Sequence, residues 1–141
     1  MLEAIRDLGQ GGATLLIGLA TGAAWIMTIV APNVSYDRLD ASRADGHVRE
    51  LLKSASDQIA FVLIGGAAFA ILGGAIGAGI IALLAAFGFF SNRWTLASFK
   101  RGEAPPDAKR SKKTQRVLAV SLTLIFTFVA AIAGIMAVLG L

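Results

Sequence analysis

Three stretches of the chain carry no charged side chain, and they decide what it can fold into. Between Gly9 and Pro32, between Asp57 and Arg93, and between Arg116 and Leu141 there is no Lys, Arg, Asp, Glu or His, although the 141 residues include 13 basic and 9 acidic ones. A helix crossing a hydrocarbon core of about 30 Å needs roughly 20 mostly apolar residues, and each stretch is long enough. A water-soluble helix of that length would show a polar face, and these show none. Hydrophobic residues make up 56% of the chain, against about 45 to 50% in ordinary soluble domains. The expectation is an all-α integral membrane protein.

The first stretch follows Glu3, Arg6 and Asp7 rather than a basic leader. Its apolar run also exceeds the roughly 7 to 15 residues of a signal-peptide core, so it reads as a retained helix. Residues 11–31 and 117–140 each make one span. The middle stretch, Ile59 to Phe90, has 32 residues, about 48 Å as a single helix, too long for one crossing without severe tilt. Divided at Gly73-Gly74 it yields spans over 54–72 and 76–94, with the glycines supplying the freedom of a tight turn.

Charge favours the division. Residues 33–57 hold Arg38, Arg43, Arg49 and Lys53, and residues 92–116 hold eight more of the 13 basic residues. With a central hairpin both segments fall on one side, which the positive-inside rule makes the cytoplasm. The fold expected is a single-domain four-helix bundle with cytoplasmic loops at about 33–53 and 95–116 and both termini outside the cytoplasm. The alternative is three spans with one long central helix, and Gly66, Ala70, Gly74, Ala78, Ala82 and Ala86, spaced by four, form the small-residue ridge such a helix would carry.

Helices in lipid associate through close packing at small residues and through interhelical hydrogen bonds. Thr14, Gly18, Thr21, Trp25 and Thr28 share a face of the first span, with Gly18-x-x-x-Gly22 at its edge; Thr123, Thr127, Ala130, Gly134 and Ala137 repeat the device in the last. The packing residues expected are Thr14, Gly18, Thr21, Gly22, Thr123, Thr127 and Gly134. Each threonine is expected to bond to the carbonyl one turn back rather than to line a solute path. Tyr36 and Trp94 fall where an interfacial aromatic belt would lie.

In the first loop, Val48, Leu51, Leu52 and Ala55 predict a helix from Gly46 that runs into the second span, opened by a turn at Asp45-Gly46-His47. The second loop turns at Ala104-Pro105-Pro106 and continues as Lys109, Arg110, Lys112, Lys113 and Arg116. Five basic residues in eight, directly before a span, are expected to attract anionic lipid headgroups. Without interleaved aromatics they do not point to nucleic acid.

The chain has no cysteine and one histidine, His47. Thiol chemistry, c-type haem attachment, bis-histidine haem and the usual zinc sites are therefore excluded. Asp37, Asp40 and Asp45 lack the calcium-loop spacing. No catalytic residue, metal or cofactor is expected, and no ionisable group falls at mid-membrane depth, which disfavours proton-coupled transport.

The reading is a small non-enzymatic membrane protein, an accessory subunit of a larger complex or a self-associating bundle, with membrane lipids and copies of itself as partners. A passive channel or a lipid or small apolar-ligand carrier is the first alternative, and an interfacial enzyme using His47 the second. The composition suits a plasma membrane of the bacterial inner-membrane type.

Overall fold

A computed structural model describes residues 1–96 and 108–141, with side chains for 1–96 and 113–141. Among them every element is helical: α1 (Leu2–Trp25), a π-helical turn (Ile26–Val30), α2 (Ala31–Arg38), α3 (Ala41–Leu72), α4 (Ile76–Thr95) and α5 (Ala108–Leu139). The middle stretch is two helices. Gly73 and Gly74 make the turn between α3 and α4, and Gly74 takes φ +82°, a left-handed conformation that a side chain would disfavour. The spacing-four ridge is broken at this point, and the single long helix with it.

The helices pack in a ring in the order α1, α3, α4, α5 and back to α1. Four segments, 2–38, 41–72, 76–95 and 113–139, are long and apolar enough to cross a membrane. The interior is built of small residues: Ala13, Ala20, Ala24, Ala60, Ala67, Ala70, Ala78, Ala82, Ala130, Ala133 and Ala137 are all buried. A few large side chains, Ile17, Leu52, Leu63 and Phe89, are fully buried with them, while many others point outward, with Leu15 71%, Phe61 65%, Phe87 61% and Ile135 62% exposed. In water this arrangement would be inverted. In lipid it is the arrangement expected, since small residues let helix backbones close together and large ones face acyl chains.

One end of the bundle, the hairpin end, carries Glu3, Arg6 and Asp7 and is tightly tied, with Arg6 Nε donating to the Gly73 carbonyl at 3.4 Å. The backbones of Gly9 and Gly73 meet so closely that a Cβ on Gly9 would lie 2.5 Å from the Gly73 nitrogen. Gln10 Nε2 donates to the Ala137 and Val138 carbonyls in the last turn of α5 at 3.2 and 3.3 Å, and the Ala137 carbonyl also accepts the Gly140 N–H at 3.2 Å. The Ala78 N–H donates to the Leu141 carbonyl oxygen at 3.0 Å.

The other end carries the charge. α4 has 20 residues, about 30 Å and so one hydrocarbon thickness. α2, the first turns of α3 and the first turns of α5 continue past its end. The helix of the first loop starts at Ala41, so Asp45, Gly46 and His47 lie inside α3 rather than in a turn, and α3 runs unbroken to Leu72. The turn expected at Ala104-Pro105-Pro106 lies outside the described residues.

The first helix also passes Pro32 without stopping. In α register Pro32 would face the Thr28 carbonyl with no N–H to offer and with its ring in collision. The π turn moves the register by one residue, with the Ala31 N–H bonding to the Ile26 carbonyl, and the helix continues as α2.

Candidate functional site

Three buried polar side chains from different helices share one level near the charged end. Ser56 on α3, Asn92 on α4 and Thr123 on α5 each lie sixteen residues from the far end of their helix at Leu72, Ile76 and Leu139, which puts them about 24 Å along. All three are buried at 0 to 1% exposure. Asn92 Nδ2 donates to Ser56 Oγ and to Thr123 Oγ1, both at 2.8 Å, and the Thr123 hydroxyl donates to the Ala119 carbonyl at 2.6 Å. One amide thereby ties three helices.

The Asn92 Oδ1 atom, also buried, has no partner. The next residues along extend the layer, with Arg93 Nε 3.6 Å from Asp57 Oδ2 across α3 and α4. Asp57 Oδ1 is buried and unpartnered.

A second network holds the charged projection together. Arg116 pairs with Asp45 and stacks over the Tyr36 ring at 5.5 Å, while the Tyr36 hydroxyl donates to Asp45 Oδ1 at 2.5 Å. Arg49 Nη2 donates to the Leu96 carbonyl at 2.8 Å, placing a cation where the α4 dipole is negative. Tyr36 is thus a link between α2, α3 and α5. His47 is exposed, and the Asp45 carboxylate beside it in sequence is already engaged.

The packing residues read from sequence divide into two groups. Thr123 and Thr127 are buried, and a Cβ on Gly134 would lie 3.5 Å from Ile17, so these three face the bundle interior. Thr14 and Thr21 are half-buried at its edge, and Gly18 and Gly22 are exposed with nothing within 4 Å of where a Cβ would stand. Inside the chain, α1 packs one residue round, through Ala13, Ile17, Ala20, Ala24 and Met27. The hydroxyls of Thr14, Thr21, Thr28, Thr123 and Thr127 all donate to the carbonyl four residues back, at 2.6 to 2.9 Å.

Of the five basic residues before the last span, Lys113 is exposed and Arg116 is turned to Asp45. The side chains of Lys109, Arg110 and Lys112 lie outside the described residues. At the hairpin end an open groove of about 470 Å³ runs between α1 and α5, lined by Asp7, Gln10, Gly11, Thr14, Leu15 and Val138. Among the described residues no group of three His, Cys, Asp or Glu side chains converges to hold a metal.

The fold and its apolar exterior define a class: an all-helical, four-helix chain with the dimensions and surface of a multi-pass membrane protein. No family model matches the chain, and no curated protein or solved structure is significantly similar to it.

Proposed function

We propose that the chain is a non-enzymatic membrane protein that acts by lateral association, as a self-associating bundle or as an accessory subunit of a larger membrane complex, with its charged end in the cytoplasm. The observation that carries this reading is the outward face of α1. Gly11, Gly18 and Gly22 lie exposed on it with open space where their side chains would be. Glycines in a lipid-facing helix surface favour close approach of a second helix, because that approach brings backbones into van der Waals contact.

In vesicles, energy transfer between donor- and acceptor-labelled copies is expected to fall strongly for the Gly18→Leu/Gly22→Leu double variant. Its melting temperature in mild detergent should stay at the wild-type value, since neither glycine supports the fold of the single chain. Unchanged energy transfer would sink this reading of α1.

The carrier alternative retains one supporting observation, the groove between α1 and α5, whose Leu15 and Val138 walls suit an acyl chain. The basic segment from Lys109 to Arg116 fits attraction to anionic headgroups at the same end as the projection, with Lys113 the exposed member among the described side chains.

A further inference from the structure

We propose that the groove between α1 and α5 at the hairpin end binds one phospholipid with a primary-ammonium headgroup of the ethanolamine kind, its ammonium on the Asp7 carboxylate and an acyl chain along Leu15 and Val138. This rests on the reading of the chain as membrane-spanning and not on association through α1. The groove brings Asp7, Gln10, Gly11, Thr14, Leu15 and Val138 to one opening of about 470 Å³, within the range of small-molecule sites, roughly 300 to 1,000 Å³. Gly11 keeps it open, with nothing within 4 Å of where its Cβ would stand.

Depth selects a lipid as the occupant. The 20 residues of α4 span about one hydrocarbon thickness, so the Gly73-Gly74 turn before its start marks the hydrocarbon boundary. Gly9 meets Gly73 backbone to backbone at that level. Asp7, two residues further out, stands about 3 Å beyond the boundary among the headgroups, and Leu15, six residues inward, about 9 Å below it. Leu15 and Val138 are both exposed. A groove that opens sideways at that depth is filled by an acyl chain, because the bilayer core holds no water to fill it.

Charge selects the headgroup. Asp7 is the one charged residue of the described lining, and among the described residues it has no ion pair and no hydrogen bond. Glu3 lies one turn further out on the same face of α1. Arg6, the only basic residue before Arg38, is turned to the hairpin, where its Nε donates to the Gly73 carbonyl and its guanidinium lies against Gly74. The polar groups of the lining are engaged, Gln10 Nε2 with the α5 carbonyls and the Thr14 hydroxyl with the Gln10 carbonyl. The groove thus offers an anionic headgroup no donor, and offers an ammonium an open carboxylate. A primary ammonium can donate hydrogens to that carboxylate, whereas the trimethylated ammonium of choline has none to donate.

The test is native mass spectrometry of the purified protein in detergent, mixed with equal amounts of ethanolamine and choline phospholipids carrying the same two oleoyl chains. Both headgroups are neutral overall, so the basic segment at the other end does not bias the comparison. The expected result is a complex with one lipid that favours ethanolamine by about two- to fivefold, the range an exposed ion pair allows. Asp7→Asn, which keeps the shape of the side chain, should bring the ratio to parity. Gly11→Leu, placed where nothing opposes a side chain, should lower retention of both lipids. Gly18→Leu/Gly22→Leu, which tests association through α1, should leave the ratio unchanged, so the two readings fail separately; recovery of the chain from the membrane fraction tests the spanning reading by itself. Equal retention of the two lipids by the wild type, an undiminished preference in Asp7→Asn, or full retention in Gly11→Leu would overturn the proposal.

Discussion

Replacing Gly73 with leucine is expected to cost about 3 kcal/mol or more and to prevent α1 from docking on the hairpin. Overpacking a core usually costs about 1 to 3 kcal/mol because neighbouring side chains can shift. Here a Cβ would lie 2.7 Å from the Gln10 nitrogen and 3.0 Å from the Gly9 carbonyl carbon, and backbone atoms within a helix cannot step aside singly. Relief requires moving α1 as a body, which would break the Gln10 bonds to α5 as well. Melting followed by circular dichroism in mild detergent would measure the loss. Gly22→Leu is the control, expected to melt with the wild type. If Gly73→Leu matched it, α1 and the hairpin would not meet where the glycines place them.

The division of the middle stretch was legible because two independent signals agreed on it, the length of 32 residues and the placement of the basic side chains. The structure puts the turn at the glycines the sequence offered, between Leu72 and Ile76. Which face of each helix turns inward was legible in α5 and not in α1. In α5 the threonines and alanines form a single small-residue stripe against large neighbours such as Ile125, Phe128 and Ile132. In α1 the stripe through Ala13, Ile17 and Ala20, which turns inward with the large Ile17 fully buried, lies one residue, about 100° of rotation, from the smaller stripe through Thr14, Gly18 and Thr21, so side-chain size pointed to the wrong face. A soluble helix would have resolved this by polarity; in lipid both faces are apolar and the contrast is missing.

Asn92 escaped for a related reason. At the end of a span, Ser91, Asn92 and Arg93 read together as the chain leaving the membrane, and nothing local distinguishes the asparagine that turns inward from the arginine that turns out. Its significance depends on Ser56 and Thr123 reaching the same level, which only the packed helices reveal. The π turn at Ile26–Val30 follows from Pro32 once the helix is known to continue, yet the same proline in sequence is an equally good reason to end it.

Asn92→Ala is expected to destabilise the bundle by about 2 to 3 kcal/mol, the sum of two interhelical hydrogen bonds and the space left in a fully buried layer. Such bonds within membranes average about 0.6 kcal/mol and reach about 1.7, and the lost volume adds a cavity term. Both bonds join different helices, so the loss should appear as coupling. A double-mutant cycle of Asn92→Ala with Thr123→Val should return an interaction of about 0.6 to 1.7 kcal/mol. Thr127→Val supplies the contrast, because the Thr127 hydroxyl donates to its own helix at the Thr123 carbonyl and its removal should be nearly neutral. Were Thr127→Val to cost as much as Thr123→Val, the threonines would stabilise the bundle one helix at a time. Asn92 would then be no more than a tolerated polar residue. The expected inequality would instead make its amide the one polar group that fixes the mutual register of α3, α4 and α5, in a core whose alanines could slide past one another at little cost.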